Sequence, residues 1–179
     1  MKEFVKITLA IGTVYLCLSL MSKREEEPIA PTPSVSFSFQ LLDENTPPCL
    51  QMHYYIQTYA KKYGVPLDYA YGIANCETSY QGPFDWDYQH GQTSCAGAVG
   101  PMQIMPSTAD WVWKKDIPTK QLREDIELNV ETSMKYLQYL YGRYHDWKTV
   151  FGYYNTGRPC VNNYALKVFN YKPISYEQN

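Results

Sequence analysis

The chain has 179 residues, 45% hydrophobic and 19% charged, with a formal net charge of -2. That is the composition of one ordinary folded domain plus appendages, and it excludes a wholly disordered chain. Beyond Arg24 the sequence holds 12 Lys and Arg against 17 Asp and Glu, with no basic cluster, which argues against a nucleic-acid partner.

The chain opens on a nearly unbroken apolar run, Ile7–Met21, with Lys2 and Lys6 before it and Lys23–Arg24 after it. This is the layout of an export signal. The run is shorter than the roughly 20 residues of a full membrane span, but counted from Phe4 and Val5 it is long enough for a signal anchor. No small-x-small cleavage site follows. Tyr15 and Leu16 are too large to precede a lipidated cysteine, so Cys17 is not read as a lipoprotein site. Residues 1–24 are therefore expected to be a signal peptide or signal anchor, with the N-terminal segment at a membrane. Residues 25–48 begin with Glu25-Glu26-Glu27 and hold Pro28, Pro31, Pro33, Pro47 and Pro48, so they read as a linker. Within it, Val35–Leu42 alternates apolar and polar residues, the pattern of a short strand or a docking segment.

Residues 49–171 read as a single folded domain, and 172–179 as a tail. Leu50–Tyr63 has apolar residues at helical spacing and stops at Gly64, a good C-terminal cap. A helix is expected over Leu67–Tyr80 behind Pro66. The Gly-, Asp- and Gln-rich stretch Gln81–Ala98 reads as a loop or small hairpin. Further helices are expected over Pro106–Trp113, Glu124–Tyr144, Trp147–Asn155 and Val161–Phe169. No Val/Ile-rich strand series occurs, so the fold is expected to be mainly α.

Four cysteines lie past the leader: Cys49, Cys76, Cys95 and Cys160. An even count in an exported chain points to disulfides, and the favoured pairings are Cys49–Cys160 and Cys76–Cys95, with free buried thiols as the alternative. No CxxC pair occurs, and His53, His90 and His145 lack ligand spacing, so no metal and no cofactor are expected.

Three segments carry candidate chemistry: Asn75-Cys76-Glu77-Thr78-Ser79-Tyr80 at the end of an apolar helix, Ser94 to Ala109 with Gly100-Pro101-Met102-Gln103-Ile104-Met105-Pro106 at its centre, and Phe151-Gly152-Tyr153-Tyr154-Asn155-Thr156-Gly157. Together with Asp125, Asn129, Tyr136 and Leu137 between the last two, they resemble, in order and spacing, the motifs of the soluble-lytic-transglycosylase (SLT) family of peptidoglycan lytic transglycosylases. The resemblance covers about Leu50 to Phe169. This chain departs from the family pattern at Thr78 (usually Ser), Pro101 (usually Leu), Thr156 (usually Ala) and Ile126 (commonly Pro).

The resemblance implies an α+β lysozyme-like architecture: one small helical domain with an active-site cleft and a short loop or hairpin lobe. It implies cleavage of the MurNAc-GlcNAc β-1,4 bond of peptidoglycan to 1,6-anhydroMurNAc ends by a single glutamate, here Glu77. A hydrolytic muramidase on the same fold and a non-catalytic peptidoglycan-binding assembly subunit are the alternatives. The physical reasoning agrees with the first. A carboxylic acid protonates an alkoxide leaving group near neutral pH only if burial raises its pKa. Glu77 follows an apolar helix face, with Met102, Met105 and Tyr154 available to exclude water. A second carboxylate would have to be Asp85 or Asp87, both in turn-forming sequence. The resemblance further assigns substrate contacts to Ser94, Gln103, Met105, Tyr154 and Asn155. It implies glycan strands as the partner and a periplasmic or cell-envelope location. A secretion, conjugation, pilus or phage-entry machine, with the phage virion as the last case, is the expected setting.

Overall fold

The structure is a computed structural model and describes residues 42–43 and 45–173. The leader at 1–24, most of the 25–48 linker and the end of the tail lie outside the described residues. No helix among the described residues is long and apolar enough to cross a membrane.

The described residues form helices α1 (Pro48–Tyr63), α2 (Leu67–Thr78), α3 (Pro106–Trp113), α4 (Thr119–Glu124), α5 (Ile126–Tyr144), α6 (Trp147–Thr156) and α7 (Asn163–Phe169). Their only strand-like pairing is two isolated antiparallel bridges, Thr93–Val99 and Val99–Ile104. The fold is thus mainly α, as expected, and the 81–104 region is a loop with bridges rather than a formed hairpin.

The helix ends follow local chemistry. Gly64 adopts φ 67°, and the Val65 N–H returns to the Ala60 carbonyl, closing α1 with a Schellman-type turn. Asp125, Asp146 and Asn162 cap α5, α6 and α7 by accepting from Leu128, Thr149 and Ala165 N–H groups. Helix boundaries depart from expectation by up to two residues, and one short helix was not expected. Helix α2 stops at Thr78, because Ser79 turns left-handed at φ 60°. A separate α4 precedes α5, because Asp125 leaves helical geometry (φ -88°, ψ 100°) to act as its cap.

Helix α1 packs most extensively on α5, while α7 packs on α6 and α2. Met52, Ile56, Ile73, Met102, Leu137 and Phe151 are fully buried in the shared core. Several tyrosines belong to this packing. Tyr55, Tyr59 and Tyr63 stack along α1, and the Tyr59 and Tyr63 hydroxyls donate to Glu127 and Glu131 of α5.

After α6 the chain doubles back across that helix. A methyl group added at Gly152 would collide with the Cys160 carbonyl, so only glycine admits this close return. The expected pairings Cys49–Cys160 and Cys76–Cys95 are not formed: all four cysteines are free thiols. Cys160 sits against Gly152, with its Sγ 3.6 Å from the Thr156 hydroxyl. Cys49 is buried at the start of α1. Cys76 lies beside Lys167 of α7, whereas Cys95 occupies an exposed turn.

Candidate active site

Glu77 is half-buried and the last residue but one of α2, which ends at Thr78 on the left-handed Ser79. A non-glycine residue in that conformation costs about 1 kcal/mol. The turn is held because the Tyr80 side chain is buried and its hydroxyl donates to the Cys49 carbonyl at 2.8 Å. Burial pushes the Glu77 carboxyl above the ordinary carboxylate range, and a hydrogen bond from Tyr164 partly opposes that shift. The Tyr164 hydroxyl donates to Glu77 Oε1 at 2.6 Å. Neither Asp85 nor Asp87 contributes to the shift. Asp85 instead accepts the Gln81 N–H at 3.2 Å, a turn role, and Asp87 is exposed.

The Gly100–Met105 segment lies against the end of α2. Gly100, Gln103 and Ile104 pair through backbone bonds, while the Pro101 and Met102 groups are taken up by side chains. Thr78 is buried, and its hydroxyl lies 2.9 Å from the Pro101 carbonyl and 2.8 Å from the Tyr88 hydroxyl. Asn129, fully buried in α5, donates to the Val99 and Leu122 carbonyls and accepts the Met102 N–H at 2.8 Å. A side chain at Gly100 would collide with that Asn129 amide. Tyr154 donates to the Met102 carbonyl at 2.7 Å and lies 3.0 Å from the Ser133 hydroxyl. Buried backbone groups need such partners, and an unmatched one costs about 1–3 kcal/mol.

The residues singled out in the sequence fare differently. Tyr154 lies near enough to Glu77 to feel its charge, and burial with that charge raises its pKa well above the ordinary range. Its hydroxyl, however, is committed to the Met102 carbonyl rather than to Glu77. Gln103, at φ 48°, turns its amide back to the Gly100 and Gln92 carbonyls at 2.9 and 3.2 Å. Ser94 closes a tight turn, its hydroxyl accepting the Ala98 N–H at 3.0 Å. Met102 is fully buried in the core, whereas Met105 is 40% exposed at the start of α3. Asn155 is exposed and accepts from Asn162, the cap of α7, at 3.1 Å.

Tyr164 is the residue that sequence reasoning missed. It is separated from Glu77 by 87 positions and lies in none of the three segments. The one signal available was Asn162 as a helix cap, which puts Tyr164 in the first turn of α7.

The model of the transglycosylase SLT domain family matches residues 54–176. None of the curated proteins matches the chain. Among solved structures, the complex of the 70-kDa soluble lytic transglycosylase with bulgecin A is 27% identical over 64% of this chain and 18% of that one, with a TM-score of 0.49. The 70-kDa soluble lytic transglycosylase from Escherichia coli is 28% identical over 64% of this chain and 18% of that one, with a TM-score of 0.48. An inactive mutant of lytic transglycosylase Slt from Pseudomonas aeruginosa is 25% identical over 58% of this chain and 16% of that one, with a TM-score of 0.46. The chain thus spans less than a fifth of the length of each of these proteins. With the family model running from α1 to beyond α7 and across Glu77, the chain belongs to the transglycosylase SLT domain family.

Proposed function

We propose that this chain cleaves the MurNAc-GlcNAc β-1,4 bond of peptidoglycan and leaves 1,6-anhydroMurNAc ends, with Glu77 as the only acid/base. The observation that carries the reading is Glu77 itself: a half-buried carboxyl, raised by burial, fixed by one tyrosine and unperturbed by another carboxylate. A raised pKa enlarges the protonated share of Glu77, the direction a general acid requires. Tyr164 occupies Oε1, which leaves Oε2 to carry the proton.

Protonated Glu77 gives that proton to the bridging oxygen as the C1–O bond breaks, with the substrate's own N-acetyl carbonyl supporting the positive charge at C1. The resulting carboxylate then takes the proton of the 6-hydroxyl while O6 bonds to C1. Glu77 ends protonated, as it began, and no water is consumed. This route suits a site with one carboxylate, since direct displacement or water activation uses two. The Gly100–Met105 segment and Met105 form the adjoining wall. Ser94 and Gln103 act chiefly by holding backbone and Asn155 by accepting from the Asn162 side chain, and substrate contact by Ser94 and Gln103 would use their remaining polar atoms.

Peptidoglycan lies outside the cytoplasmic membrane, so the reading requires export, the role assigned to residues 1–24, and a periplasmic or envelope location. Local wall opening for a secretion, conjugation, pilus or phage-entry machine fits a domain of this size. Digestion of purified peptidoglycan followed by product mass analysis tests the chemistry. Anhydro products, one water lighter than reducing ends and lost in Glu77→Gln, support it. Reducing ends would make the chain a muramidase, and inertness of both proteins would leave a binding subunit.

A further inference from the structure

Tyr88 lies in none of the three segments that carry the candidate chemistry, yet its side chain reaches the end of α2. The loop that carries it is closed on itself. The Asp85 N–H donates to the Gly82 carbonyl, the Tyr88 N–H donates to the Asp85 carbonyl, and the Asp85 carboxylate accepts the Gln81 N–H. From that loop the Tyr88 side chain turns inward and is only 6% exposed. Its ring meets Tyr80 edge-on at 5.0 Å, and Tyr80 in turn holds the left-handed turn that ends α2. Its hydroxyl lies 2.8 Å from Thr78 Oγ1, on the residue next to Glu77 in the chain.

The protons of this buried cluster can be ordered in only one way that matches every group. The Thr78 hydroxyl has one proton and two acceptor lone pairs. It lies 2.9 Å from the Pro101 carbonyl and 3.3 Å from the Ala74 carbonyl. Ala74 already accepts the Tyr80 N–H. Pro101 is buried, and among the described residues its carbonyl has no donor but Thr78. The Tyr88 hydroxyl likewise has no partner there but Thr78. If Thr78 donated to Tyr88, the phenolic proton and the Pro101 carbonyl would both be unmatched and buried, which is the costly arrangement. If Tyr88 donates to Thr78 and Thr78 donates to Pro101, nothing is left over. Burial pushes the Tyr88 phenol well above its ordinary range, so it keeps the proton it shares. Thr78 and Pro101 are both positions at which this chain departs from the family pattern, and Tyr88 ties them together.

We propose that Tyr88 is a positioning residue for the Glu77 carboxyl, acting through a relay in which its hydroxyl proton directs the Thr78 proton onto the Pro101 carbonyl and so pins the end of α2. A general acid must sit within hydrogen-bond reach of the oxygen it protonates, so slack at this helix end is felt in proton transfer. Tyr88 itself touches no reacting atom. The inference rests on the catalytic reading of Glu77 above.

The test combines Tyr88→Phe, which keeps the ring, with Thr78→Val, which keeps the shape, and Thr78→Ser, which keeps the hydroxyl. All are assayed on purified peptidoglycan well below their melting temperatures. Tyr88→Phe is expected to lower kcat and kcat/KM equally, about tenfold, as loss of one buried hydrogen bond would, with KM near wild type. Thr78→Val should lose at least as much, whereas Thr78→Ser should turn over near wild type. Adding Tyr88→Phe to Thr78→Val should cost little more, because the relay is already cut. An unaltered kcat in Tyr88→Phe, a loss carried by KM, or losses that multiply in the double variant overturn the proposal. Equal turnover in Thr78→Val and Thr78→Ser overturns it as well. Thermal unfolding of wild type, Tyr88→Phe, Thr78→Val and the double variant reads the relay without turnover. Coupled losses support it, and additive losses overturn it. If wild type cut no glycan, the catalytic reading would fail while this unfolding cycle still decided the relay.

Discussion

The Gly100–Met105 segment and α7 both reach the end of α2, one at Thr78 and the other at Glu77, by opposite means. The segment has little regular structure, so side chains of Thr78, Asn129 and Tyr154 hold its backbone groups separately. Helix α7 satisfies its own backbone after one cap, Asn162, and delivers a single hydroxyl, that of Tyr164. Irregular backbone must be held by particular polar residues at particular positions, and such residues in fixed order constitute a motif. A helix surface needs no such set, so its one functional side chain leaves little trace in the sequence.

The largest expected effect comes from removing the carboxyl at that helix end. Glu77→Gln should lower turnover by about 10²–10⁴-fold with helical circular dichroism retained. The same variant tests burial. Because the folded-state pKa of Glu77 is raised, its contribution to stability is complete below the unfolded pKa and is lost as pH rises through the folded value. Glu77→Gln should therefore melt above wild type at neutral pH and converge with it in acid. A gap independent of pH would contradict the burial.

Asn129→Ala should rank next. It strips partners from the Val99 and Leu122 carbonyls and the Met102 N–H, at a cost of about 3 kcal/mol by denaturant unfolding. A loss below about 1 kcal/mol would mean that the segment holds itself.

Two tyrosine variants sharpen the contrast. Tyr164→Phe should reduce kcat about tenfold while leaving the melting temperature close to wild type. Because the Tyr164 bond lowers the Glu77 pKa, its loss should also move the alkaline limb of the pH-rate profile upward. Tyr154→Phe should do the reverse, lowering stability through the Met102 carbonyl with little movement of that limb. Equal behaviour of the two would erase the distinction between a residue that sets the acid and one that sets the wall. The smallest effect is expected for exposed Asn155→Ala, about 0.5 kcal/mol in thermal unfolding.

The same contrast explains how much was legible in advance. Helix α3 was expected within its observed bounds, and the end of α1 followed from Gly64 as a cap. Asp125 and Asn129 stood out only through the family resemblance, and the structure supplies the reasons: one caps α5, the other holds the 99–102 backbone. Helix α4 escaped notice because only Leu122 of its six residues is buried, too little for a periodic pattern. The end of α2 was placed two residues late, because the left-handed Ser79 carries no glycine signal. A cysteine count could not reveal that Cys160 sits against α6. Tyr164 depended on a tertiary contact that no local pattern encodes.

Gly152 has a consequence that a chemical survey of the site would overlook. It touches no proton and binds nothing, yet its missing side chain lets the 157–162 return lie flat on α6, and that return sets where Asn162 starts α7. In a saturation library selected for activity, Gly152 should tolerate almost no replacement, while Gly91 and Gly142, with open space around them, should accept many. Tolerance to mutation would thus track the path of the chain as sharply as it tracks the residues at the reacting bond.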